Sequence, residues 1–360
     1  MNHDSPQILI AIWALAVAVE CGARIEPTTT LVDPEPQPSP AATVTPVSNS
    51  NPSPASVLLF GGFDGRGADL GDTWTWDGAN WHDREEKGPA PGARDDFAMA
   101  VVNGSVILFG GQQYGRPPIG DLWSETEGSW ARTTAVGPDA RSGHAMAPLD
   151  GALMLFGGLG DDTHPLGDTW IWSRESWSKR GGVGPSARAG HAMASVDGGV
   201  VLFGGAELDG PLRDDTWIAT SAGWTPQSVQ GPTARSGHAM ATLQGTVVLF
   251  GGWGVDDAPL GDTWTWDGAA WTQHDIGGPS PRGGHAMATL NQRIVLFGGE
   301  DVNEEPLSDT WTWDGVRWER QDAHGPAARY DCAMAATDGS GESPSAPPPV
   351  APTGTDEPRH

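Results

Sequence analysis

Short apolar runs, each closed by a pair of glycines, recur along this chain. Leu-Phe-Gly-Gly stands at Leu59–Gly62, Leu108–Gly111, Leu155–Gly158, Leu202–Gly205, Leu249–Gly252 and Leu296–Gly299, spaced by 49 residues once and by 47 four times. Downstream of each comes a run in which residues alternate, as in Thr73-Trp74-Thr75-Trp76, which places both tryptophans on one face of a strand. A lone tryptophan follows at 81, 130, 177, 224, 271 and 318, then an arginine and a short run such as His144-Ala145-Met146-Ala147. On that last run His144 and Met146 point one way and Gly143, Ala145 and Ala147 the other, so a bulky face and a small-residue face are expected. Asn103-Gly104, Asp150-Gly151 and Asp197-Gly198 join this run to the next apolar one, and such dipeptides favour tight hairpins.

Each period therefore predicts four short antiparallel strands, and face-to-face stacking of like sheets would bury the bulky sides while leaving few open edges. The expected fold is all-β, a six-bladed β-propeller. The repeat region begins on the second strand of a period, at Ser56–Phe60, and ends on a solitary first strand, Arg329–Ala336. Closure of the ring is expected to come from that C-terminal strand joining the N-terminal three.

The glycine pair, the tryptophan-bearing third strand and the lone tryptophan after it resemble the kelch repeat, over residues 55–338. The resemblance implies one blade per repeat and partner binding at one mouth of the central channel. It points to the residue after each repeat arginine and the residue after each glycine pair, positions that vary between copies. The binding candidates are Asp95, Ser142, Ser236 and Tyr330 from the first set, and Phe63, Gln112, Trp253 and Glu300 from the second.

Charge narrows the partner. There are 20 Lys and Arg against 46 Asp and Glu, a net charge of −26, with no basic stripe to neutralise phosphates, so nucleic acid is not an expected ligand. The loops after the glycine pairs carry twelve acids against Arg66 and Arg116, which reads as a cation site, a surface for a basic partner or a solvated rim; Asp256, Asp257, Glu300 and Asp301 form the candidate cation cluster, with Ca²⁺ the cation in view. The spacing is not that of an EF-hand, and no other cofactor is expected.

Before the repeats, Ile8–Val19 is an apolar run too short to span a bilayer, followed by Cys21 and a Pro/Thr/Ser-rich stretch. This layout resembles a bacterial lipoprotein signal and implies export, with acylation at Cys21 as the only membrane contact. The expected organisation is a signal over 1–21, a tether over 22–54, the propeller over 55–338 and a polar tail over 339–360, in a monomer.

Other motifs read as architecture. His144, His191, His238 and His285 recur once per repeat and are expected to pack between blades with a ring nitrogen satisfied. The arginines at 94, 141, 188, 235, 282 and 329 and the aspartates at 72, 121, 168, 262 and 309, with 214 or 215, are expected to tie blades together as ion pairs. Copper-radical galactose oxidases are also kelch propellers, but their Tyr-Cys, Tyr and paired-His constellation has no match here. No catalytic residue is assigned. The expected function is an exported module binding a protein or glycan at the cell envelope; the alternative is a carbohydrate-active enzyme, sugar isomerase or oxidase-like, for which Asp95, Glu300 and Tyr330 would be the acid/base groups.

Overall fold

The computed structural model describes residues 55–207 and 210–337. Cys21, the proposed signal and tether, Asp209 and the tail lie outside the described residues. Six sheets of four antiparallel strands make the ring. The first blade holds β1 (Ser56–Phe60), β2 (Thr73–Trp76), β3 (Trp81–Arg84) and, from the far end of the chain, β24 (Ala333–Thr337). The second holds β4 (Ala98–Val102), β5 (Ser105–Phe109), β6 (Leu122–Thr126) and β7 (Ser129–Thr133); the third β8 (Ala145–Leu149), β9 (Ala152–Phe156), β10 (Thr169–Ser173) and β11 (Ser176–Arg180). The fourth is β12 (Ala192–Val196), β13 (Gly199–Phe203), β14 (Thr216–Thr220) and β15 (Gly223–Gln227); the fifth β16 (Ala239–Leu243), β17 (Thr246–Phe250), β18 (Thr263–Trp266) and β19 (Trp271–His274); the sixth β20 (Ala286–Leu290), β21 (Arg293–Phe297), β22 (Thr310–Trp313) and β23 (Trp318–Gln321).

The innermost strand of each blade is the Ala-Met-Ala run, and the second is the run ending in Leu-Phe. Those second strands are buried on both faces, which is why they read as continuous apolar stretches. Leu153 and Leu155 of β9 pack back onto Ile107 and Phe109 of the second blade, while Met154 and Phe156 pack forward onto Val200 and Leu202 of the fourth. The expected division into a bulky and a small face therefore holds on the inner strands alone. There Met146 faces backward, and Ala145 and Ala147 leave room for Met193 of the next blade.

The lone tryptophan staples each blade to the one before it. Trp224 rests edge-on against Phe156, and its indole N–H donates to Thr169 Oγ1 at 3.0 Å. Trp271, Trp318 and Trp81 donate likewise to Thr216, Thr263 and Thr310, each at 2.9 Å. In the second blade Leu122 stands where the other blades have threonine, so Trp177 has only the Phe109 contact at this place.

The Arg–Asp pairs correct the sequence expectation. Arg94 forks onto Asp121, Arg141 onto Asp168 and Arg235 onto Asp262, with the shortest N–O distances 2.5, 2.7 and 2.7 Å. Both partners belong to the same blade, as do Arg188–Asp215 and Arg282–Asp309. The same aspartate also accepts the indole N–H of the tryptophan two residues on, for example Trp170 to Asp168 at 2.7 Å. Each blade thus contains an Arg–Asp–Trp unit in which a buried guanidinium and an indole share one half-buried carboxylate. It is the arginine's backbone that crosses between blades: Gly111 N donates to Arg141 O at 2.9 Å, and Arg141 N donates to Ile119 O at 3.3 Å.

The ring closes as expected. β24 pairs with β1 in the register Ser56↔Thr337 to Phe60↔Ala333. Arg329, fully buried, forks onto Asp72 at 2.6 and 2.8 Å, so one such unit is assembled from both ends of the repeat region.

Candidate functional site

Past each glycine pair, the second strand makes one further bridge to the connector entering its own blade. The bridged residues are Phe63↔Tyr330, Asp95↔Gln112, Ser142↔Leu159, Ala189↔Ala206, Ser236↔Trp253 and Gly283↔Glu300. The two variable sets picked from the sequence therefore pair residue by residue at one end of the propeller. The glycine pairs make this possible. Gly62 sits at φ +101°, and a Cβ there would lie 2.7 Å from Tyr330 O.

One residue further along the connectors, the backbone forms a closed cycle around the channel. Asp96 N donates to Asp331 O at 3.1 Å, Gly143 N to Asp96 O at 2.8 Å, and Gly190, Gly237 and Gly284 each donate to the preceding glycine at 2.9 Å. Asp331 N then donates to Gly284 O at 2.7 Å and completes the ring. All six residues are left-handed, with φ between +51° and +65°. Glycine takes that conformation freely, and aspartate is among the few other residues that tolerate it. Four blades use glycine; the first and second use Asp331 and Asp96.

These two blades concentrate the acid. Asp95 is 7 % exposed, and its Oδ1 has no well-formed hydrogen bond; Asp69 Oδ1 is likewise buried without one. Burial, and then the carboxyls of Asp96 and Asp69, push Asp95 up to about 8. Burial pushes Asp96 up to about 6. Asp331 is held well above the usual carboxylate range by burial and by Asp96, Asp95 and Glu300. Glu300, on the adjoining sixth blade, is pushed up to about 7 by burial and by Glu304 and Asp301. The Tyr330 hydroxyl is raised by burial and the same acids. The nearest arginines are committed elsewhere, Arg94 to Asp121 and Arg329 to Asp72.

The remaining candidates divide by exposure. Phe63 is buried, stacked on the exposed Tyr114 at 5.3 Å and edge-on to Tyr330 at 5.6 Å. Ser142 is buried too, and its hydroxyl donates to Gln112 Oε1 at 3.2 Å while Gln112 Nε2 donates to Asp96 Oδ2 at 3.3 Å. Ser236 and Trp253 are half-buried. The Trp253 indole lies over the backbone of Gly283, where a Cβ would come within 2.0 Å of Nε1. Of the cation candidates, Asp256 and Asp257 are exposed. Asp301 spends its oxygens on its own loop, accepting from Asn303 N at 2.8 Å and Glu305 N at 3.2 Å. Among the described residues no group of three or more His, Cys, Asp or Glu is placed to hold a metal.

The four histidines are blade packing, as expected. Each ring lies edge-on to a phenylalanine of the preceding blade, as His191 does to Phe156 at 5.4 Å, and meets the backbone of that residue outside good hydrogen-bond geometry. Burial and the neighbouring arginines depress them, His191 and His285 to about 3. Phe97 and Cys332 occupy the equivalent positions in the second and first blades. Below the backbone cycle, alternating alanines and methionines, with Cys332, line a channel cavity of about 150 Å³. A hollow of about 570 Å³ lies away from the mouth, at the outer edge between the third and fourth blades, where Gly181, Gly182 and Gly223 carry no side chains.

Asp96, Asp331 and Tyr114 belong to the mouth, yet the sequence pattern did not place them there, whereas Asp69 is one of the twelve loop acids. A signal was present: Arg94-Asp95-Asp96-Phe97 and Arg329-Tyr330-Asp331-Cys332 are the two copies that depart from the Gly-His pattern. The model of the KLHDC2/KLHL20/DRC7 Kelch-repeats domain matches this chain over residues 25–205, 125–268 and 217–341. No curated protein matches it.

Proposed function

The chain belongs to the kelch-repeat family, and from that premise we propose that it is a binding module which engages a protein partner through the channel mouth ringed by Tyr330, Asp95, Gln112, Trp253 and Glu300. One observation carries the reading. The strands repeat almost unchanged around the ring, whereas the residues that differ in chemistry from blade to blade are gathered at this mouth by the six bridges. Exposed and half-buried aromatics beside carboxylates are the composition of a recognition surface rather than of a bare rim. The lipoprotein-like start of the sequence supports placing this module at the cell envelope.

Photo-crosslinking tests it. A benzophenone side chain replacing Ser236 or Trp253 should capture a discrete partner, and one replacing Gln244, on a hairpin at the opposite end, should not. Equal capture from both ends would overturn the reading. A second reading, acid/base chemistry on a sugar, is favoured by the raised carboxyls of Asp95 and Glu300 flanking Tyr330. It requires turnover on a sugar panel that Glu300→Gln abolishes.

A further inference from the structure

Resting on that reading, we propose that the seam between the first and second blades is a receptor for a basic side chain of the partner, a guanidinium or primary ammonium group held by Asp95, Asp96 and Asp331 beside Tyr330. The backbone cycle does not need these carboxylates, since Gly143, Gly190, Gly237 and Gly284 make the same bonds without them. Two aspartates in left-handed backbone, adjacent in the cycle and joined by the 3.1 Å Asp96–Asp331 bond, place like charges together in a half-buried mouth.

Behind them Asp95 is more than nine-tenths buried; its carboxyl lies against Gln112 and Asp69, faces Asp96, and keeps an Oδ1 with no well-formed hydrogen bond. Such a group is costly unless a donor meets it. Arg94 and Arg329 cannot meet it, being forked onto Asp121 and Asp72. The occupant is therefore expected to bring its own positive charge. A metal ion fits poorly, because no metal-holding group is assembled here. A guanidinium presents several donors across a wider span and can bridge carboxylates too far apart for one ion. Tyr330, with Tyr114 and Phe63 behind it, supplies aromatic surface for a cation and its alkyl stem.

The probe is the peptide acetyl-Gly-Arg-Gly-amide, with its citrulline counterpart as the neutral isostere. Binding to the wild-type chain and to an Asp96→Gly/Asp331→Gly variant is measured by calorimetry at pH 8, and melting is recorded for both. The variant installs what four blades already carry, so it should fold and melt at least as high as the wild type. The arginine peptide should bind the wild type saturably and at least about tenfold more tightly than the citrulline peptide, and the variant should lose that preference. Equal binding of the two peptides, or a preference that survives in the variant, overturns the proposal. So does Ca²⁺ displacing the peptide at lower concentration, which would make the seam a metal site. If the charge preference is absent while crosslinks from Ser236 or Trp253 persist, this inference falls and the binding-module reading stands. If those crosslinks also fail, both fall.

Discussion

The first and second blades and the remaining four are built on the same backbone and differ where it meets the channel. In the third to sixth blades the connector reads Gly-His, a bare left-handed glycine followed by a buried neutral imidazole. In the first and second it reads Asp331-Cys332 and Asp96-Phe97, a carboxylate followed by a smaller or wholly apolar filler. Strand register, the glycine pairs and the Arg–Asp–Trp units are shared. What the contrast teaches is that the repeat supplies a frame tolerant of substitution at one left-handed position, and that chemistry enters through the copies that use this tolerance. Because those copies are the first and the last, closure makes them neighbours.

The largest expected effect breaks the comparison at its root. Ending the chain at Ala328 removes β24, Arg329 and Asp331 together, exposes the edge of β1 and leaves Asp72 unpaired. Cooperative thermal unfolding should be lost or replaced by aggregation, whereas ending it at Ser340 should leave melting unchanged.

Next come the units common to both regions. Asp262→Ala leaves the fully buried Arg235 without its partner, and loss of one member of such a pair costs about 3–5 kcal/mol. Asp72→Ala should cost at least as much, because its arginine also fastens the closing strand. Denaturant unfolding of the two variants ranks them, and a cheaper loss at Asp72 would mean that closure does not depend on the pair.

A smaller effect concerns the staples. Thr216→Val removes the acceptor of the Trp271 indole N–H in a buried setting and should destabilise by about 1–3 kcal/mol. Leu122→Val, at the one staple without a hydroxyl, loses no hydrogen bond and should cost only the about 1 kcal/mol of a buried methylene.

The smallest effects sharpen the comparison through pH, and the two regions have opposite signs. At the seam the folded form retains protons that the unfolded chain releases from about pH 4 upward. The stability this contributes is fully present below about pH 4 and is lost as pH rises from there until Asp96 and Asp95 have ionised in the folded form, at about 6 and about 8. The histidines behave in reverse. His191 and His285 stay neutral down to about pH 3, while unfolded histidine binds a proton below about 6.5, so stability falls as pH drops through that window. The two limbs overlap between about pH 4 and 6.5, and melting temperature should peak where their opposite slopes cancel. Asp96→Gly/Asp331→Gly should flatten the alkaline limb, and His191→Phe, copying Phe97, should flatten part of the acid limb. A profile unchanged by either variant would refute the assignment of the limbs.

The strands, the six blades and the closing strand were all legible in the sequence, because alternation, glycine pairs and turn dipeptides act within a few residues of themselves. The variable mouth positions were legible for the same reason, as departures on a strict period. The period alone left undecided whether Arg235 pairs within its blade or across to the next, since both readings repeat equally well. Packing decided it, by burying the guanidinium against its own blade's carboxylate. What the histidine rings meet was equally hidden, because a strand pattern says that a ring is buried but not what surrounds it. The acidic seam was decided last of all. Asp96 and Asp331 stand at opposite ends of the repeat region and look like unrelated lapses from Gly-His. Only closure of the ring, which lets Asp96 N reach Asp331 O, puts their charges beside each other.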